Sequence, residues 1–220
     1  MKKFELGPER TLTWCKRTLY RIRACIDFTT ASGKEVKTGD IGGWVEKEEN
    51  LSQSGKAWIY DEAKVYDDAL VLGDAEVYGY ARVLDNAQIC DNAKVYSRAR
   101  VCDKATICGN AKVYGDAGVY DEAVVCDKAN VWRDARVCDK ATICGNAKVW
   151  GTAEVYDNAR VYDNAKIYKD AEVYGNAVIY GDAEVFTAAK VGGDMRIGGK
   201  ALVCGDALMA GDSEIDDDEI

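Results

Sequence analysis

The chain repeats itself every six residues. From Ala57 the pattern is Ala-x-Val-Tyr-(Gly/Asp)-(Asn/Asp), and Ala57-Trp58-Ile59-Tyr60-Asp61-Glu62 is the first clear unit. It runs without insertion or deletion to Asp218, in 27 units. Position one is Ala in 25 of them, with Met195 and Ser213 as exceptions; position three is Val or Ile in 26, with Met209 as the exception. A period of six does not serve an amphipathic helix, which needs about 3.6. A β-branched residue between polar neighbours reads instead as a short strand with one inward side chain. The Gly, Asp and Asn that follow tolerate the left-handed backbone of a sharp corner. A small Ala lets the chain turn closely around a narrow interior. Each unit is therefore one short face and one corner.

A single unit cannot bury its Val, but stacked units can, Val over Val and Ala over Ala. Three units per coil make nine eighteen-residue coils. At about 4.8 Å per coil, the rod is roughly 40–45 Å long. Residues 1–56 lack the repeat. Within them Leu19-Tyr20-Arg21-Ile22-Arg23-Ala24 alternates like a strand, and Gly42-Gly43-Trp44-Val45-Glu46 leads toward the first coil. The expected organisation is an N-terminal cap with short strands over 1–56, covering open strand edges, and a solenoid over 57–218.

Reading the sequence in whole coils predicts which side chains stack. After the Val of the first face come Tyr60, Tyr78, Tyr96, Tyr114, Trp132, Trp150, Tyr168 and Phe186. Such a column either stiffens the rod by offset stacking or offers an adhesive stripe to a partner. Lys94, Lys112, Lys148 and Lys166 flank it. The third face carries Leu72, Cys90, Cys108, Cys126, Cys144, Tyr162 and Tyr180; Cys102 and Cys138 fall on the second. Ladder spacing exceeds the Cβ separation of about 3.8 Å that a disulfide takes. The thiols read as small half-buried hydrophobes, soft-metal binding by the thiol row being the alternative; no bound metal is expected. At the second corner stand Asp67, Asp85, Asp103, Asp121, Asp139 and Asp157. Asp serves turns by local hydrogen bonding; a cation-binding or nucleic-acid-mimicking column is the alternative. Lys64, Arg82, Arg100 and Arg136 nearby offset part of that charge. The segment Ala99–Val113 recurs identically as Ala135–Val149, two whole coils later. That suits a scaffold lengthened by units.

The run resembles the hexapeptide-repeat family, as in Val77-Tyr78-Gly79-Tyr80-Ala81-Arg82 and Ile107-Cys108-Gly109-Asn110-Ala111-Lys112. Tyr or Cys here stands where that family often has Gly. The resemblance implies an all-β, single-stranded left-handed parallel β-helix with triangular coils. The stretches Arg21–Ala24, Gly39–Ser52 and Trp58–Tyr66 are similar to a group of uncharacterised bacterial and phage or prophage hexapeptide proteins, often labelled transferases. Relatives of the transferring kind bind acyl-CoA between subunits of a trimer, commonly use a His as general base, and often extrude a loop.

This chain has no His, so that proton acceptor is missing, and its 27 units extrude no loop. The expected function is a non-enzymatic β-solenoid scaffold that binds protein, a second copy of itself included. The resemblance to phage-borne chains adds a host factor as a partner. The alternative is an acyl(acetyl)transferase using acyl-CoA. No catalytic residue and no cofactor is expected. A net charge of −9 disfavours nucleic-acid backbones and anionic membranes as partners. With no apolar leader and no long apolar run, cysteines at an odd count of nine are read as cytoplasmic thiols.

Overall fold

The computed structural model describes residues 2–13 and 16–216. From Trp58 onward each hexapeptide supplies a strand of two to four residues, and successive strands fall in turn on three parallel sheets. Partners lie three hexapeptides apart on every face: Val83 over Val101, Ile89 over Ile107, Val95 over Val113. The chain is thus a parallel β-solenoid of about ten coils. From Ala57 to Val191 every first-position Ala and third-position aliphatic residue is completely buried. Apart from a 3-10 turn at Glu48–Asn50, no helix occurs among the described residues, and no helix is long and apolar enough to cross a membrane.

The backbone explains the period. In the unit Ala93–Arg98, the N–H groups of Lys94, Tyr96 and Arg98 donate to Ala111, Val113 and Gly115 of the following coil at 2.8–3.0 Å. The next Ala, Ala99, closes the corner by donating back to Tyr96 at 3.3 Å. The fifth residue turns through the left-handed region, at φ 61° for Ser97. Buried backbone groups must be paired, and this alternation of ladder bond and corner bond pairs the N–H groups of the second, fourth and sixth residues of the unit and of the first residue of the next.

The N-terminal segment joins the rod instead of merely sitting on it. Strands β1 (Phe4–Leu12) and β2 (Thr18–Ala24) form an antiparallel hairpin. Two short strands, β3 (Phe28–Thr29) and β4 (Glu35–Val36), make a second hairpin. Strand β2 also pairs with β5 (Ile41–Val45), again antiparallel. Strand β5 is parallel to the next coil, with Val45 beneath Val65, and Leu51 bridges Val71 in the same sense. The coil geometry therefore begins upstream of Ala57. Val45 stands two positions further from Val65 along the chain than Ile59 stands from Val77. Two extra residues between Leu51 and Ile59 hide this coil from a six-residue reading. Gly43 occupies the place of the small Ala; a Cβ there would sit 2.4 Å from Ile59 Cγ2 and 2.8 Å from Ala63 O.

The cap end is closed by polar groups that find partners. Asn50 is fully buried. Its Oδ1 accepts the N–H groups of Glu46 and Lys47 at 3.1 and 2.9 Å. Its Nδ2 donates to Asp67 O and Ala69 O at 3.0 and 2.9 Å. Lys3, also buried, donates from Nζ to Ala57 O at 3.0 Å. Trp58 is covered by the edges of Phe4 and Phe28. The acidic C-terminal residues Asp217, Asp218 and Glu219 lie outside the described residues.

Candidate interaction face

The first face holds the aromatic column. Tyr78, Tyr96, Tyr114, Trp132, Trp150, Tyr168 and Phe186 stack with centroids 4.4–5.7 Å apart and planes within 8° of parallel. The ladder spacing sets ring separation, so the rings lean together offset. Each ring face is spent on its neighbours, and solvent meets ring edges and hydroxyls. Burial pushes the Tyr96 hydroxyl up to about 12.

Tyr60 leaves the column. It meets Tyr78 edge-on, at 6.5 Å and 86°. The β3–β4 hairpin lies over it: Tyr60 donates to Thr30 Oγ1 at 3.2 Å, and Lys34 sits 3.9 Å from the ring centroid. The same hairpin is fastened to Glu76, whose carboxylate accepts the Ser32 N–H and hydroxyl at 3.1 and 2.7 Å. The open stretch of the aromatic ridge thus starts at Tyr78.

Beside the ridge, lysines gather into a shallow groove of about 720 Å³, lined by Lys94, Lys112, Lys148 and, from the adjoining corner, Lys128. Lys94 pairs with Glu76 at 3.3 Å and Lys166 with Glu184 at 2.7 Å. Lys112, Lys128 and Lys148 form no ion pair among the described residues. Lys128 joins only because neighbouring corner and strand positions converge there, which a single-face reading does not show.

The acidic column is a column of turn residues. Asp67, Asp85, Asp103, Asp121, Asp139 and Asp157 all have φ between 55° and 60°. The N–H of a corner residue points along the rod axis, away from any carbonyl, and the carboxylate one coil earlier takes it. Asp121 accepts from Asp139 N–H at 3.2 Å, Asp139 from Asp157 at 3.2 Å, and Asp157 from Gly175 at 2.9 Å. Asp67 differs: its carboxylate pairs with Arg17 of the cap at 2.8 Å. Along the corner runs a groove of about 660 Å³, with Lys104 and Lys140 among its carboxylates; Lys104 pairs with Glu122 at 3.1 Å.

On the third face Cys90, Cys108, Cys126 and Cys144 stand half-buried in successive coils, as free thiols. Burial, with the neighbouring carboxylates adding to it, pushes Cys90 up to about 11 and Cys126 to about 12. Cys102 and Cys138 on the second face rise to about 12 for the same reasons. Thiols held protonated are poor nucleophiles and poor bases. Two further stacks, Tyr156–Tyr174 on the second face and Tyr162–Tyr180 on the third, continue the aromatic habit at 5.5 and 5.7 Å. The first could have been found by reading the second face's outward column as closely as the first.

This geometry defines the class: an all-β parallel β-solenoid repeat protein. No protein-family model and no curated protein matches the chain in sequence.

Proposed function

We propose that the protein is a non-enzymatic scaffold that docks protein along its first face, a second copy of itself being the first partner. The observation that carries this reading is charge register. Lys112 and Lys148, two coils apart with Lys128 beside them, and the acidic corner column, one carboxylate per coil from Asp85 to Asp157, are set by the same coil pitch. Two rods side by side therefore set lysines of one against carboxylates of the other at several coils together. The aromatic ridge between Tyr78 and Phe186 supplies the Tyr- and Trp-rich centre that protein interfaces favour, and the lysines its polar rim. A basic row meeting an acidic column on a different side is a heterologous contact. The resemblance to phage-borne chains makes a host protein with a similar acidic strip the further partner. The acyl-transfer alternative has less support: the chain has no His, and its thiols are held protonated.

Sedimentation velocity across a concentration series tests the reading. Association should appear as concentration rises, weaken at high salt as exposed charge pairs are screened, and disappear in Lys112→Glu/Lys148→Glu. A strict monomer at every concentration and low salt would end it. A saturable rise in melting temperature with acetyl-CoA would return the transferase reading to first place.

A further inference from the structure

By spacing alone, the third-face cysteines read as small hydrophobes. Their placement supports more. Cys90, Asp91 and Cys108 bring two Sγ atoms and a carboxylate oxygen within 4.8 Å of one another, and Cys126, Asp127 and Cys144 do the same one pair of coils along. The strands directly preceding them are paired in fixed register, so the thiols are set at the coil pitch by the fold itself.

That pitch suits one kind of ligand. A metal–thiolate bond is about 2.3 Å long, so a linear S–M–S unit spans about 4.6 Å. A disulfide, by contrast, needs its Cβ atoms about 3.8 Å apart and would pull the coils together. A tetrahedral ion such as Zn²⁺ wants four donors. Each group here supplies two thiols and one carboxylate from a flat face. Soft thiolates favour soft, low-coordinate cations.

We infer that the third face carries two sites for thiophilic monovalent d¹⁰ cations of the Cu(I)/Ag(I) class, one bridging Cys90 and Cys108 and the other bridging Cys126 and Cys144. Each cation replaces two thiol protons: two S–H bonds break, two S–M bonds form, two protons leave, and no atom changes oxidation state. The resulting bis-thiolate carries one negative charge. Asp91 and Asp127 remain engaged below it, their Oδ2 atoms accepting Gly109 and Gly145 N–H at 2.9 Å. Those bonds keep the corners in place whether or not the thiols are loaded.

The alternation at this corner sets the number of sites. Asp91 and Asp127 stand beside the first thiol of each pair, while Gly109 and Gly145 stand beside the second. The repeat unit of the site is two coils, and the sequence duplication has the same length.

Anaerobic titration of the fully reduced chain with Ag(I), in chloride-free buffer, tests the inference, with native mass spectrometry counting bound ions. The chain should take two tightly. Cys108→Ser should take one, because Cys126 and Cys144 remain paired. Cys108→Ser/Cys144→Ser should take none, because the surviving Cys90 and Cys126 are two coils apart. Cys138→Ser should still take two. Circular dichroism of each variant reports that the solenoid is intact, and Cys→Ala at the same positions replaces any Ser variant that fails to fold. Uptake that follows the total number of cysteines, or that persists in the double variant, overturns the inference. Zn²⁺ binding as tightly as Ag(I) would overturn it as well.

Discussion

At the Asp121 corner the backbone sits at φ 55°, and the N–H above it, on Asp139, reaches only the Asp121 carboxylate. Two costs meet in one residue: a left-handed conformation and an orphan donor. Asp and Asn bear both, whereas Ala bears neither. Asp121→Asn should leave stability within a few tenths of a kcal/mol, and Asp121→Ala should lose about 1–2 kcal/mol in a urea titration. Adding Ca²⁺ should change neither melting temperature; a saturable rise would give the column a cation-binding role. Asn50 is the buried counterpart. Asn50→Ala abandons four hydrogen bonds in a sealed site and should cost about 2–4 kcal/mol. Lys3 adds a pH signature. Burial lowers its ammonium from 10.5 to about 8. Between those values the unfolded chain holds a proton that the folded chain has released, so the contribution of Lys3 to stability rises with pH across about 8 to 10.5. Tyrosines raised to about 12, Tyr96 among them, act oppositely above pH 10, where the unfolded phenols ionise first. Thiols raised from 9.0 to about 11 or 12 act in that same direction from about pH 9 and outnumber Lys3, so stability should fall above about pH 9, and Lys3→Met should steepen that fall.

At the scale of the element, a two-residue strand has almost no stability of its own; it exists because its neighbours in the ladder do. The outward columns add to that. Trp132 stacks on Tyr114 at 5.7 Å and on Trp150 at 4.8 Å. Trp132→Ala removes both contacts and should cost about 2–3 kcal/mol, with faster amide exchange confined to the adjoining coils. Trp132→Tyr should cost under about 1 kcal/mol, since the column is restored. These columns were legible in the sequence because an in-register stack follows once three hexapeptides close a coil. Tyr60 was not. It sits at the same position in its unit as Tyr78, yet Thr30 and Lys34 turn it out of the stack. Those two residues lie in the cap, far from Tyr60 along the chain, and belong to no repeat.

For the whole molecule, contacts between adjacent coils make the rod nearly one-dimensional. Deleting residues 99–134 removes two complete coils and joins Arg98 to Ala135 in unchanged phase. The shortened chain should fold with every column intact. Deleting four units, 99–122, keeps the six-residue phase but moves each later unit to the preceding face. The Val and Ala core should survive, since all three faces use the same inward residues. The aromatic stack should be broken at the junction and Cys90 left without its thiol partner, with a lower melting temperature and a weaker aromatic signal in near-UV circular dichroism. If instead both deletions fold equally well, the outward columns contribute nothing to the rod.

The six-residue repeat by itself determined strand, corner, inward side chain and coil length, because each depends only on residues within one unit and on copies of that unit above and below. It reached the aromatic, thiol and acidic columns for the same reason. Only the tertiary structure decided where the solenoid begins. The coil carrying Val45 and Leu51 is out of phase by two positions, and its membership rests on backbone pairing that a side-chain pattern does not record. The tertiary structure likewise decided which lysines are paired, where the cap covers the ridge, and that each cysteine pair shares its space with one carboxylate. Such arrangements come from contacts between different units, or between the cap and the rod, and no period in the sequence carries them.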